Sequence, residues 1–193
     1  MSYSNKYRTK SIRLPDYDYR KNGGYFVTIC TQNRICCFGN IKNNQVQLSS
    51  IGKIAQQSWI EISKHFNYVY IDAFIIMPNH IHGVIIIDQP SQNIAIDSHR
   101  DITRKVSTND VDYVSQTMSQ LSPKAGSLSV IIRSYKATVT RRCKQNSIDN
   151  FSWQPRFYEH IIRDQSSLDK IREYIINNPI KWHEDQNNPV NIL

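Results

Sequence analysis

Residues 68–87, YVYIDAFIIMPNHIHGVIII, are the stretch on which the fold turns. Tyr68–Met77 and Ile81–Ile87 are runs of β-branched and aromatic residues, the composition of strands. Met77-Pro78-Asn79 interrupts the ladder between them, since proline carries no amide donor and asparagine favours turns. Two such runs joined so tightly predict an antiparallel hairpin. Within it, His80-Ile81-His82 places both imidazoles on one face of an extended chain while Ile81 enters the core.

Upstream, Ile51, Ile54, Ala55, Trp59, Ile62 and Phe66 recur at helical spacing, and the pattern predicts an amphipathic helix over 50–66 capped by Ser49 or Ser50. A short strand is expected at 45–48. Tyr25–Thr31, after Gly23-Gly24, reads as a further strand. Downstream, 89–126 is polar and aperiodic, the texture of a mobile insertion. Leu128, Ile131, Ile132, Tyr135, Val139 and Cys143 then mark a helix whose other side carries Arg133, Lys136, Arg141 and Arg142. After an irregular link, Leu168, Ile171 and Ile175 give the stripe of a last helix over about 167–178, with Ser166 or Ser167 as cap and Pro179 as its limit. The expected architecture is α+β: one antiparallel sheet with helices packed on one face, a single domain over 1–193 preceded by a basic arm at 1–22.

A 193-residue chain that is 39% hydrophobic and 10% aromatic is neither wholly disordered nor collagen-like. Its apolar runs fall far short of the roughly 20 residues that span a bilayer, so no membrane association is expected. The opening MSYSNKYRTKSIRLP lacks the apolar stretch of a secretory signal, which points to the cytoplasm. A formal charge of +8 favours a polyanionic partner, nucleic acid foremost. Cys30, Cys36, Cys37 and Cys143 show no C-x-x-C spacing and are expected as reduced thiols.

Three features carry candidate chemistry. His80 and His82 offer two ligands to a divalent ion, although the same spacing also suits structural histidines at a strand end. Tyr174 and Asn178, one helical turn apart, can direct a phenol and an amide oxygen at one point; equally, they suit a core tyrosine and a helix C-cap before proline. Phe151–Asp164, FSWQPRFYEHIIRD, interleaves aromatics with Arg156, His160 and Arg163, a texture suited either to single-stranded nucleic acid or to a packed link.

Together YFVTICTQNR (25–34), MPNHIHG (77–83), SLSVIIRSYKATVTRR (127–142), WQPRFYEHIIRD (153–164) and YIINNP (174–179) resemble the REP-associated tyrosine transposases, within the single-tyrosine HUH transposase family. The resemblance implies a ferredoxin-like sheet (the HUH nuclease fold) with the histidine pair on a central strand and the nucleophile on a C-terminal helix. His80 and His82 match the metal-binding histidines, Tyr174 the nucleophile, and Asn178 the polar third ligand. Tyr158 is a rival phenol, but the residue four positions on is Ile162, which has no oxygen to offer. The implied activity is Mg²⁺- or Mn²⁺-dependent cleavage and transfer of single-stranded DNA at hairpin-associated sites through a 5′-phosphotyrosine intermediate. Arg8, Lys10 and Arg13 of the arm, together with Arg133, Lys136, Arg141, Arg156 and Arg163, are the expected nucleic-acid contacts. Relatives of this kind work as monomers or homodimers. A noncatalytic hairpin binder and a metallohydrolase that activates water are the competing readings.

Overall fold

The computed structural model describes residues 17–90 and 124–191. In chain order the elements are β1 (Gly23–Cys30), β2 (Gly39–Lys42), β3 (Gln45–Leu48), α1 (Ser50–Ile60), α2 (Ile62–His65), β4 (Val69–Ile76), β5 (His80–Ile87), α3 (Leu128–Gln145), β6 (Tyr158–Ile162) and α4 (Gln165–Asn177). Strands β4, β5, β1 and β6 form one antiparallel sheet in that order, and β2 pairs with β3 in a separate hairpin. The sequence β1-α1-β4-β5-α3-β6 is the split βαβ arrangement of ferredoxin-like folds, as expected. Residues 1–16 of the expected arm and most of the expected insertion, 91–123, lie outside the described residues, and with them Arg8, Lys10 and Arg13.

Strand alternation divides the sheet into two unlike faces. The β1–β5 register sets Ile29 beside Ile81, Thr28 beside His82 and Phe26 beside Val84. Tyr25, Val27 and Ile29 of β1 therefore share a face with Ile81, Ile85 and Ile87 of β5. That face packs against Ala55 and Trp59 of α1 and against Leu128, Ile131, Tyr135 and Val139 of α3. Phe26, Val84 and Ile86 point the other way and meet Leu168, Ile171 and Ile175 of α4. Helices thus cover both faces rather than one. The reason is visible in β5, HIHGVIII, which is buried along nearly its whole length and lacks the outward polar residues of a strand with one wet face.

Two further differences from the sequence reading are local. The helix expected over 50–66 is divided at Glu61 into α1 and α2, with Ser49 capping the first through the Gly52 amide. The link before the last helix contains β6, whose Glu159 faces inward and breaks any apolar alternation. No described helix is long and apolar enough to cross a membrane.

Gly83 sets the approach of α1 to the sheet, because a Cβ at that position would stand 2.3 Å from Cζ2 of the buried Trp59. Gly83→Ala is expected to destabilise the protein by about 1–3 kcal/mol, the cost of overpacking a filled core. Urea titration measures it; an unchanged midpoint would mean that Trp59 swings aside freely.

Candidate active site

The histidine pair lies at the start of β5, on the face covered by α4. His80 and His82 are 0% and 2% exposed, and their Nε2 atoms are 3.0 Å apart. Burial pushes the His80 imidazolium down to about 3, with the nearby Arg34 charge adding to the effect. Burial likewise holds His82 well below its ordinary value; the charge of His80 contributes, and that of Asp185 opposes. Both rings are therefore neutral near pH 7, the form that ligates metals. His80 Nδ1 lies 2.9 Å from Asn79 Oδ1, and His82 Nδ1 lies 2.9 Å from Thr28 Oγ1 on the neighbouring strand.

Tyr174 is brought in by α4. Asp164, not Ser166 or Ser167, caps this helix, accepting from the Ser167 amide at 2.8 Å, because its short carboxylate reaches forward to the first turn. Ile171 and Ile175 anchor the helix to the sheet, and Arg172 grips Asp72 of β4 through two bonds of 2.8 and 2.7 Å. Tyr174 is left at the edge of the apolar stripe, 43% exposed, with its hydroxyl 3.2 Å from His82 Nε2. Burial raises its pKa above the ordinary value, the Asp185 charge raises it further, and a hydrogen bond from the Asn178 side chain pulls the other way.

A carboxylate completes the cluster. Asp185, in the segment after α4, sets Oδ2 3.7 Å from His80 Nε2, and its side chain is 4% exposed. One ligand atom from each of His80, His82 and Asp185 fits within a sphere of mutual distances no greater than 4.8 Å. The residues fit a divalent cation on two counts. Cis ligands of an octahedral ion with bonds of about 2.1 Å stand about 3.0 Å from one another, which is the spacing of the two imidazole nitrogens. In addition, Asp185 Oδ2 is a buried oxygen without a hydrogen-bond partner, which a cation held there would satisfy; Asn178 Oδ1 is likewise buried without one. Sequence reasoning missed Asp185. Its position comes from a backbone that folds back onto the sheet, and no linear spacing relates it to the histidines.

The remaining expected residues are dispersed. Tyr158 stands opposite Thr28 in the β1–β6 register and is exposed, while Tyr174 is the phenol bonded to His82. Arg133 and Arg141 are exposed on α3, which covers the opposite face of the sheet; Arg156 and Arg163 are exposed on either side of β6. Arg142 is held by Glu61 and Ser58 at 2.6 and 3.1 Å. Lys136 does not present its charge to solvent as a free contact: Nζ donates to the Gln154 and Arg156 carbonyls at 2.8 and 2.5 Å and lies 5.8 Å from the Trp153 ring centre. Burial lowers its pKa to about 8. All four cysteines are free thiols.

No protein-family model matches the chain. An uncharacterised protein of Haemophilus influenzae is 42% identical over 179 residues, 92% of this chain and 91% of its own length. A second Haemophilus influenzae protein, named as a REP-associated tyrosine transposase, is 24% identical over 164 residues, 85% of this chain and 74% of its own length. A solved structure of a REP-associated tyrosine transposase bound to a REP hairpin shares the fold, with a TM-score of 0.55 at 20% identity over 89% of this chain and 74% of that one. The chain is thus similar in sequence to a protein named as a REP-associated tyrosine transposase and similar in fold to another. More narrowly, it belongs to one family with the uncharacterised Haemophilus influenzae protein.

Because the Lys136 ammonium ties down the 154–156 turn, Lys136→Met is expected to lower stability by about 1 kcal/mol through two weakened carbonyl bonds. Chemical denaturation reads this directly; wild-type stability would mark Lys136 as a dispensable surface cation.

Proposed function

We propose that this protein is a metal-dependent endonuclease and strand transferase that acts on single-stranded DNA beside hairpins, through a 5′-phosphotyrosine intermediate. The observation that carries the reading is the Tyr174 hydroxyl at 3.2 Å from His82 Nε2, in contact with a buried donor set suited to a divalent ion. The relative solved with a REP hairpin supports hairpin DNA as the substrate class.

His80, His82 and Asp185 would hold the ion, with Asn178 Oδ1 as a further oxygen donor; such a mixed nitrogen and oxygen set accommodates Mn²⁺ or Mg²⁺. When bound, that ion supplies Lewis-acid polarisation of the scissile phosphate. The protein's own task is to position the phenol. Its raised pKa keeps Tyr174 protonated near neutral pH, so the proton must leave as the oxygen attacks phosphorus, and the hydrogen bond from Asn178 favours the developing phenolate. The tyrosine O–P bond forms, the bond from phosphorus to the 3′ oxygen breaks, and that oxygen leaves as a hydroxyl after taking up a proton. Attack by a 3′-hydroxyl on the adduct reverses the step, so the phosphodiester is restored without ATP. Backbone contacts fall to Arg156 and Arg163 beside β6, to Arg133 and Arg141 on α3, and to Arg8, Lys10 and Arg13 of the arm.

The test is a labelled single strand from the flanks of the gene, carrying its hairpin, incubated with Mn²⁺ and resolved under denaturing conditions. Wild type is expected to give a protein-linked product that EDTA abolishes; Tyr174→Phe should bind the strand yet form none. Normal cutting by Tyr174→Phe would overturn the assignment. Binding without any product would leave the noncatalytic hairpin binder, and cutting without an adduct would leave the hydrolase. Arg163→Ala should weaken binding and reduce its dependence on salt by about one counterion, measured by titrating affinity against salt concentration.

A further inference from the structure

We infer that Asn79 is a positioning residue that joins His80 to the carboxylate of Asp185, fixing two ligands of the cluster with one side chain; the inference rests on the metal-site reading above. Asn79 is 0% exposed, and both polar atoms of its side-chain amide have partners. Nδ2 donates to the Arg34 carbonyl at 2.9 Å and to the Asn187 carbonyl at 2.7 Å. Carbonyl oxygens only accept, so these two bonds determine which end of the amide is nitrogen. Oδ1 must then face His80 Nδ1 at 2.9 Å, and it can only accept. His80 accordingly carries its proton on Nδ1 and leaves the Nε2 lone pair directed at the cluster.

The same amide reaches the carboxylate through the backbone of one residue. The Asn187 carbonyl is bonded to Asn79, and the Asn187 amide donates to Asp185 Oδ1 at 2.6 Å. With Oδ1 occupied in this way, Oδ2 is the oxygen left 3.7 Å from His80 Nε2. A chain of bonds results, from imidazole to Asn79 amide to Asn187 backbone to Asp185 carboxylate, whose remaining oxygen Oδ2 faces the same imidazole at 3.7 Å. Two supports keep it in place. The Asn79 carbonyl accepts from the Thr31 amide and hydroxyl at 2.9 and 3.0 Å, and Arg34 Nη1 bonds the Gln186 carbonyl at 2.7 Å. A residue that served only the β4–β5 turn would not need the bond to the Asn187 carbonyl.

The experiment is calorimetric titration of the full chain with Mn²⁺ for wild type, Asn79→Ala, Asp185→Ala and the double variant, with circular dichroism to establish that each is folded. Asn79→Ala is expected to weaken Mn²⁺ binding 10- to 100-fold, the range for lost outer-shell partners. The double variant should be little weaker than the weaker single variant, because both changes break one chain of bonds. Wild-type affinity in Asn79→Ala, or losses that multiply in the double variant, would overturn the inference. A second arm needs no variant: ¹⁵N NMR of the wild-type histidines should show His80 protonated on Nδ1, and protonation on Nε2 would overturn it equally. If wild type itself takes up no Mn²⁺, the metal-site reading fails, while the NMR arm still decides the role of Asn79 at His80.

Discussion

A strand buried on both faces must satisfy two separate sets of neighbours, and the rest of the molecule follows from how β5 does so. Its odd-numbered residues complete an apolar core beneath α1 and α3. Its even-numbered residues begin with two imidazoles and end with aliphatic side chains that seat α4. Alternation along one short segment therefore both builds the core and excludes water from the histidines. That exclusion keeps the rings neutral, and neutral rings at 3.0 Å are what a cation site requires.

The site is held by small contacts from many elements. Thr28 of β1 orients one histidine, Asn79 the other, and the Arg172–Asp72 pair steadies the helix that carries the phenol. Two oxygens, from Asp185 and Asn178, stay buried without a partner. Unsatisfied buried oxygens cost stability, of the order of 1–3 kcal/mol each. The one from Asp185 is retained within 3.7 Å of His80 Nε2, where a positive charge would satisfy it.

Much of this was legible in the chain. The hairpin of β4 and β5, the shared direction of His80 and His82, and the proximity of Tyr174 to Asn178 follow from strand and helix periods, which act over a few residues. What lay beyond periodicity was not legible. Strand β6 is a short edge strand with an inward glutamate, so it shows no alternation of apolar residues. The placement of α4 on the second face depends on a neighbour far away in sequence. Asp185 arrives through backbone bonds of a segment with no period, and Lys136 has the chemistry of a phosphate contact but is committed to two carbonyls. Local patterns specify elements and directions; commitments between distant groups are settled only by the assembled chain.

The order of the ligands along the polypeptide has a temporal consequence. His82 leaves the ribosome 103 residues ahead of Asp185, the difference between their positions, with Tyr174 also near the later end. At synthesis rates of about 5–20 residues per second, roughly 5 to 20 s separate the two ligands. A nascent chain thus displays its imidazoles well before it owns the phenol and the carboxylate that stand beside them in the folded protein.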